Sequence, residues 1–260
     1  MSILPLLITE ITIFLIGLVI GSFSNVCIYR LPRNESVIFP ASHCPSCNQP
    51  IKWYDNIPLL SYLLLKGKCR YCQSRISAQY PLVEFLTGFI YLILFLFYGL
   101  QLKTLVYMLF CSALIIITFI DLKEQIIPDI ISLPFVIIGF LLSIFIKNIS
   151  PLNSLLGILS GGGALLLIAI AGSYLFKKEA MGGGDIKLAA MVGAFLGWQL
   201  TLLSLFLGFF FGAIVGVVVL IKNKGKNEKS DSIPFGPFIA LGSVLALFFG
   251  KAILNWYFIL

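Results

Sequence analysis

The chain reads as an all-α polytopic membrane protein of about eight transmembrane helices, with a small cysteine-bearing loop domain on the cytoplasmic side. Three observations predict this. Hydrophobic residues make up 59% of the 260 and charged residues 11%, against about 25% charged in a soluble domain. The apolar residues fall in blocks, most near the roughly 20 residues that cross a bilayer. Between the first two blocks lies a polar stretch holding four of the six cysteines. Open sheets do not span lipid, and the alternating pattern of a barrel is absent.

The spans are expected at about 4–27, 82–100, 104–120, 130–146, 155–176, 186–197, 200–221 and 235–257. The first starts without a basic flank. Ser22, Ser24 and Asn25 near its end make no cleavage site, so it reads as a retained helix. Glu84 stands at the start of the second, where a helix dipole favours an acid. Asp121 closes the third, after the run Ser112–Ile120. Asp129 follows Pro128 and suits a helix cap opening the fourth. Gly161-Gly162-Gly163 in the fifth suits close helix packing. Ile186–Ile221 is too long for one span, and Gly197-Trp198-Gln199 folds it in two with a short first member. Glu10 lies inside the first span and has no assigned role. The organisation is therefore residues 1–27 as a first helix, 28–81 as a cytoplasmic tetracysteine domain, and 82–260 as a seven-helix membrane domain. Lys222–Ile233 reads as a solvated connector.

Charge sets the orientation. With the N-terminus outside, 15 of the 18 Lys and Arg residues fall in inner loops, and only Lys103, Lys147 and Lys251 lie outside. The net charge of +7 is mostly this topological bias. The basic residues are spread over several loops and form no stripe, which argues against nucleic acid as a partner. The lipid bilayer is the evident one. Asp121 and Asp185 both fall on the cytoplasmic side.

Cys44-Pro-Ser-Cys47 and Cys69-Arg-Tyr-Cys72 are paired C-x2-C knuckles with 21 residues between them. Four thiolates so spaced can close a tetrahedral zinc site. A reducing cytoplasm disfavours disulfides. Sulfur fills all four positions, so the zinc would be structural, supplying folding energy that a small loop lacks. His43 beside the first knuckle reads as a surface or supporting residue. Cys27 and Cys111 lie in apolar spans and read as packing residues.

Asp185 follows Gly182, Gly183 and Gly184, where glycine lets a ligand approach the backbone closely. A carboxylate at a membrane boundary is costly to keep charged and marks a functional site. Two such carboxylates suit aspartic-type hydrolysis: one takes a proton from water while its protonated partner polarises the scissile carbonyl. Alternatively, each aspartate caps a helix. A proton-coupled transporter with buried acids is another possibility, although it commonly shows inverted repeats, and none is visible. A zinc-stabilised scaffold without activity is a third.

Several segments resemble one family in order along nearly the whole chain. These are Gly21-Ser-Phe-Ser-Asn-Val-Cys-Ile-Tyr-Arg-Leu-Pro32, the paired knuckles, Pro81-Leu-Val-Glu-Phe-Leu-Thr-Gly88, Asp121 through Pro128-Asp129, Gly182-Gly-Gly-Asp185-Ile-Lys-Leu188 and Phe235-Gly-Pro-Phe-Ile-Ala-Leu-Gly242. The chain resembles the bacterial type IV prepilin peptidases, membrane aspartyl proteases of the GxGD group. Ser24 departs from the Leu common there. The resemblance implies that Asp121 and Asp185 carry proteolysis of prepilins and pseudopilins in the inner membrane. Cleavage would fall after a leader Gly, on the cytoplasmic side. The tetracysteine loop is similar to that of the bifunctional members, which transfer a methyl group from S-adenosylmethionine to the new amine. Peptidase action without methylation stays open. No glycine-rich nucleotide loop marks a methyl-donor site. Glu84, Asn25 and Arg30 are candidates for it by analogy.

Overall fold

A computed structural model describes residues 3–145, 150–177, 181–222 and 233–259. Most of the connector expected at Lys222–Ile233 lies outside the described residues, with Lys224, Lys226 and Lys229, as do Lys147 and Lys178. Among the described residues the fold is all-helical, with no strand. Its helices are α1 (Ile3–Arg30), α2 (Leu60–Leu64), α3 (Gln79–Tyr98), α4 (Leu102–Glu124), α5 (Asp129–Ser143), α6 (Pro151–Phe176), α7 (Gly183–Leu196), α8 (Trp198–Lys222) and α9 (Gly236–Ile259).

Among the described residues, each of the eight expected spans is helical over most of its length. By length and composition, α1, α3, α4, α6, α8 and α9 suffice to cross a bilayer. The other two helices are shorter. At 1.5 Å per residue, the 14 residues of α7 rise about 21 Å, and α5 has 15 residues. The exposed side chains of α6 include Leu152, Leu159 and Leu167, the surface expected of a helix facing lipid.

The chain divides into two units, Met1–Ile116 and Ile117–Leu260, with the boundary inside α4. In the first, α1 and α3 run antiparallel in close contact. The register pairs Asn25 with Tyr80, Gly21 with Glu84 and Gly17 with Gly88. A Cβ on Gly21 would stand 2.6 Å from the Glu84 Cα, and one on Gly17 would stand 2.6 Å from the Gly88 Cα. Small residues let the backbones meet, as between helices in lipid generally. The buried Tyr91 and Ser112 hydroxyls pair at 2.9 Å, joining α3 to α4. Cys27 and Cys111 are buried among apolar side chains, as expected.

In the second unit α7 is the centre. Leu188, Ala189 and the run Met191–Leu196 are all buried, beneath α5, α6, α8 and α9. Gly157 and Gly193 bring the α6 and α7 backbones into direct contact, and Gly161 does the same against the Ala189 carbonyl. Gly162 touches Ala190, while Gly163 has no neighbour within contact range. Two of the three consecutive glycines thus serve packing. The Ser154 hydroxyl donates to the Ala194 carbonyl at 2.8 Å across the same contact. Gly242 packs on the Ser204 carbonyl between α8 and α9, where Ser204 and Ser243 pair at 2.8 Å. The expected break falls at Gly197, whose φ is +77°. The Trp198 N–H donates to the Asn153 side-chain oxygen at 3.3 Å and pins the turn.

Candidate active site

Asp121 lies in the last turn but one of α4 and is 5% exposed. Its Oδ2 accepts a hydrogen bond of 2.9 Å from the Gly236 N–H, the first residue of α9. A Cβ on Gly236 would stand 2.6 Å from that oxygen, so any larger residue would push the carboxylate aside. A helix N-terminus presents free N–H groups and a positive dipole end, so the start of α9 is suited to hold a carboxylate inside an apolar unit.

Asp185 lies in the first turn of α7 and is half-buried. Gly182 holds the N-cap position, and no side chain caps the helix. The capping alternative for Asp185 therefore fails. Ile127 joins the two neighbourhoods: its side chain abuts the Gly184 backbone on one side and Gly236 on the other. The three glycines divide their work. Gly184 is pressed against Ile127, where a Cβ would come within 2.8 Å, whereas Gly183 faces open space.

Asp129 is also no cap. It sits inside α5, and both its oxygens pair with Lys187 at 2.7 Å. That exposed pair contributes little to stability, but it ties the starts of α5 and α7 together. Glu124 ends α4 and is exposed, and Glu10 is half-buried on α1. The roles of Gly236 and Ile127 were not assigned from the sequence. The helix-start signal in Phe235-Gly236-Pro237 was visible, but the acid it meets is 115 residues away.

In the first unit the four cysteine sulfurs lie within 4.8 Å of one another. The Cys44 and Cys72 sulfurs are 3.8 Å apart. Tetrahedral zinc with sulfur at about 2.3 Å requires ligand sulfurs about 3.8 Å apart, so the cluster could hold that ion. The two knuckles share one backbone design. Asn48 N–H returns to the Cys44 carbonyl and Gln73 N–H to the Cys69 carbonyl, at 2.8 and 3.1 Å. Asn48 and Gln73 have φ of +56° and +59°. Asp55 takes a forked hydrogen bond from Arg70, inside the second knuckle, and fixes that knuckle to the turn Trp53–Asn56. His43 is exposed, its ring 3.2 Å from the Ala41 carbonyl, and stands outside the sulfur cluster.

The remaining candidates gather where α1 meets the loop. Glu84 lies in the second turn of α3, past the helix start where the dipole was expected to favour it. It is 7% exposed and accepts the Leu59 N–H at 2.8 Å. Arg30 is 6% exposed and donates to the Ser36 and Pro40 carbonyls at 2.9 and 2.7 Å. Asn25 donates to the Tyr80 carbonyl at 3.0 Å, while its buried side-chain oxygen has no partner.

Residues 15–98 match the family model described as the bacterial peptidase A24 N-terminal domain, and residues 108–217 match that of the type IV leader peptidase family. The chain is 37% identical to the prepilin leader peptidase/N-methyltransferase of Aeromonas salmonicida, over 94% of this chain and 92% of that one. The protein of the same description from Aeromonas hydrophila is 38% identical over the same shares. The one from Pseudomonas aeruginosa is 34% identical over 94% of this chain and 91% of its own. No solved structure matches.

Proposed function

Because the chain belongs to the prepilin leader peptidase/N-methyltransferase family, we propose that Asp121 and Asp185 form the hydrolytic pair that removes the leader of a prepilin or pseudopilin. The cut falls after the leader's Gly, on the cytoplasmic side of the inner membrane, with the N-terminus of the enzyme outside. What supports this is a shared neighbour within one packed unit: Ile127 lies against Gly184, next to Asp185, and against Gly236, which holds Asp121. Two carboxylates so placed hold one proton between them. The ionised member takes a proton from a water molecule, which attacks the scissile carbonyl. The protonated member donates to the carbonyl oxygen, and the leaving amine is then protonated. Gly236 holds one oxygen of Asp121 and leaves the other to the water. Open space at Gly183 suits an extended substrate backbone. The excess of Lys and Arg in the loops on this side supports the orientation.

The cysteine cluster binds structural zinc and holds the loop in shape. The new amine would accept a methyl group, the chemistry that S-adenosylmethionine would supply when bound, and would release one proton to water.

The test is cleavage of a synthetic prepilin by purified Asp121→Asn and Asp185→Asn. Each should insert, fold and fail to cut. Full cleavage by either removes the pair from the mechanism.

A further inference from the structure

A cavity of about 360 Å³ opens between the cytoplasmic end of α1 and the loop that follows it. Its size is that of a small-molecule pocket, typically about 300–1,000 Å³. Its walls are chemically mixed. Phe23 and Ile38 offer exposed apolar faces. Ser22, Ser42 and Asn56 offer polar groups. The unsatisfied oxygen of the buried Asn25 lies one turn further along α1 than Ser22.

Arg30 lines the same space. Its two carbonyl bonds use only part of the guanidinium's five N–H donors. Among the described residues no carboxylate pairs with it. A buried cation without a counter-charge is costly, and an anionic ligand group would relieve that cost with a forked pair of hydrogen bonds.

We propose that this cavity is the methyl donor's site, with Arg30 taking the carboxylate of the aminoacyl arm and the adenosine lying against Phe23 and Ile38. The assignment rests on the methyltransferase activity above. The polar groups fit a zwitterionic arm: a guanidinium for the carboxylate, and the Ser22, Ser42 and Asn56 side-chain oxygens as acceptors for the ammonium. The site also adjoins the sulfur cluster in the chain, because the segment from Val37 to Ser42 runs directly into Cys44. Zinc would thus shape one wall of the pocket without touching the ligand.

Isothermal titration of the whole protein in detergent tests this with two probes. S-adenosylhomocysteine carries the aminoacyl arm, and 5′-methylthioadenosine lacks it. Arg30→Met should weaken S-adenosylhomocysteine about tenfold or more, the effect of losing a charge-assisted hydrogen bond, and leave 5′-methylthioadenosine almost unchanged. Ser42→Trp fills the cavity and should abolish both. Zinc content and thermal unfolding verify that each variant is folded. If Arg30→Met does not fold, Ser42→Trp decides alone. Equal weakening of both probes by Arg30→Met would reduce Arg30 to a loop anchor and overturn the assignment. So would a folded Ser42→Trp that binds as the parent does. A parent protein that binds neither probe overturns the assignment, while mass spectrometry of the processed prepilin amine tests the methyltransferase activity separately.

Discussion

Replacing Gly236 with alanine isolates the hold on Asp121. The added methyl carbon would stand 2.6 Å from the Asp121 Oδ2 and 3.2 Å from its Cγ. Ordinary contact begins at 3.4 Å. The carboxylate must therefore retreat by about 0.8 Å, since Ile127 crowds the other side at 3.4 Å. A displacement near 1 Å in a reacting group costs about a hundredfold in rate. Losing the 2.9 Å bond from the backbone N–H removes about 1.5–3 kcal/mol of charge-assisted hydrogen bonding, and 1.36 kcal/mol is a factor of ten. Both routes give a fall of about 10- to 100-fold in kcat. The assay is single-turnover cleavage of a synthetic prepilin by detergent-solubilised enzyme at saturating substrate. KM should change little, because Gly236 grips the acid and not the substrate. A variant that cuts at the parental rate would show that this hydrogen bond does not position the hydrolytic group.

Cys44→Ser should abolish metal binding, with about one zinc per chain in the parent, and should expose the segment around the knuckles to protease; a parent free of zinc by elemental analysis would reject this. Gly21→Val should overpack the α1–α3 contact by about 1–3 kcal/mol and lower the melting temperature by about 2–10 °C; an unchanged melting temperature would contradict the geometry. Arg70 holds the Asp55 carboxyl below its ordinary range. The pair's contribution is therefore present above the unfolded value of about 3.9 and fades as the pH falls through the lower folded value. An NMR titration should place the Asp55 midpoint higher in Arg70→Gln than in the parent, and identical midpoints would dismiss the pair.

The helices were legible because lipid imposes a one-dimensional code. Apolar runs long enough to cross a bilayer had to be helical, and each expected span is, over most of its length. The break at Gly197 was legible because glycine tolerates the φ of +77° that a tight turn demands. The knuckles were legible from spacing alone, since each closes within six residues. Pairings that depend on tertiary contact were not. Nothing local in Asp121 reveals that the first N–H of α9 holds it, and nothing local in Asp129 predicts Lys187. Glu84 looked like an acid at a helix start, and its true partner is a loop amide 25 residues earlier. Arg30 looked like an orientation signal, and its guanidinium turns out to organise the loop entrance.

The contact of α6 with α7 is made by main chain against main chain, through Gly157, Gly161 and Gly193. At these three points there is no side chain to re-pack, so sliding one helix past the other brings peptide groups into collision. Asp185 rides on one of the two. Any change of shape at the Asp185 end is therefore left to elements other than this pair.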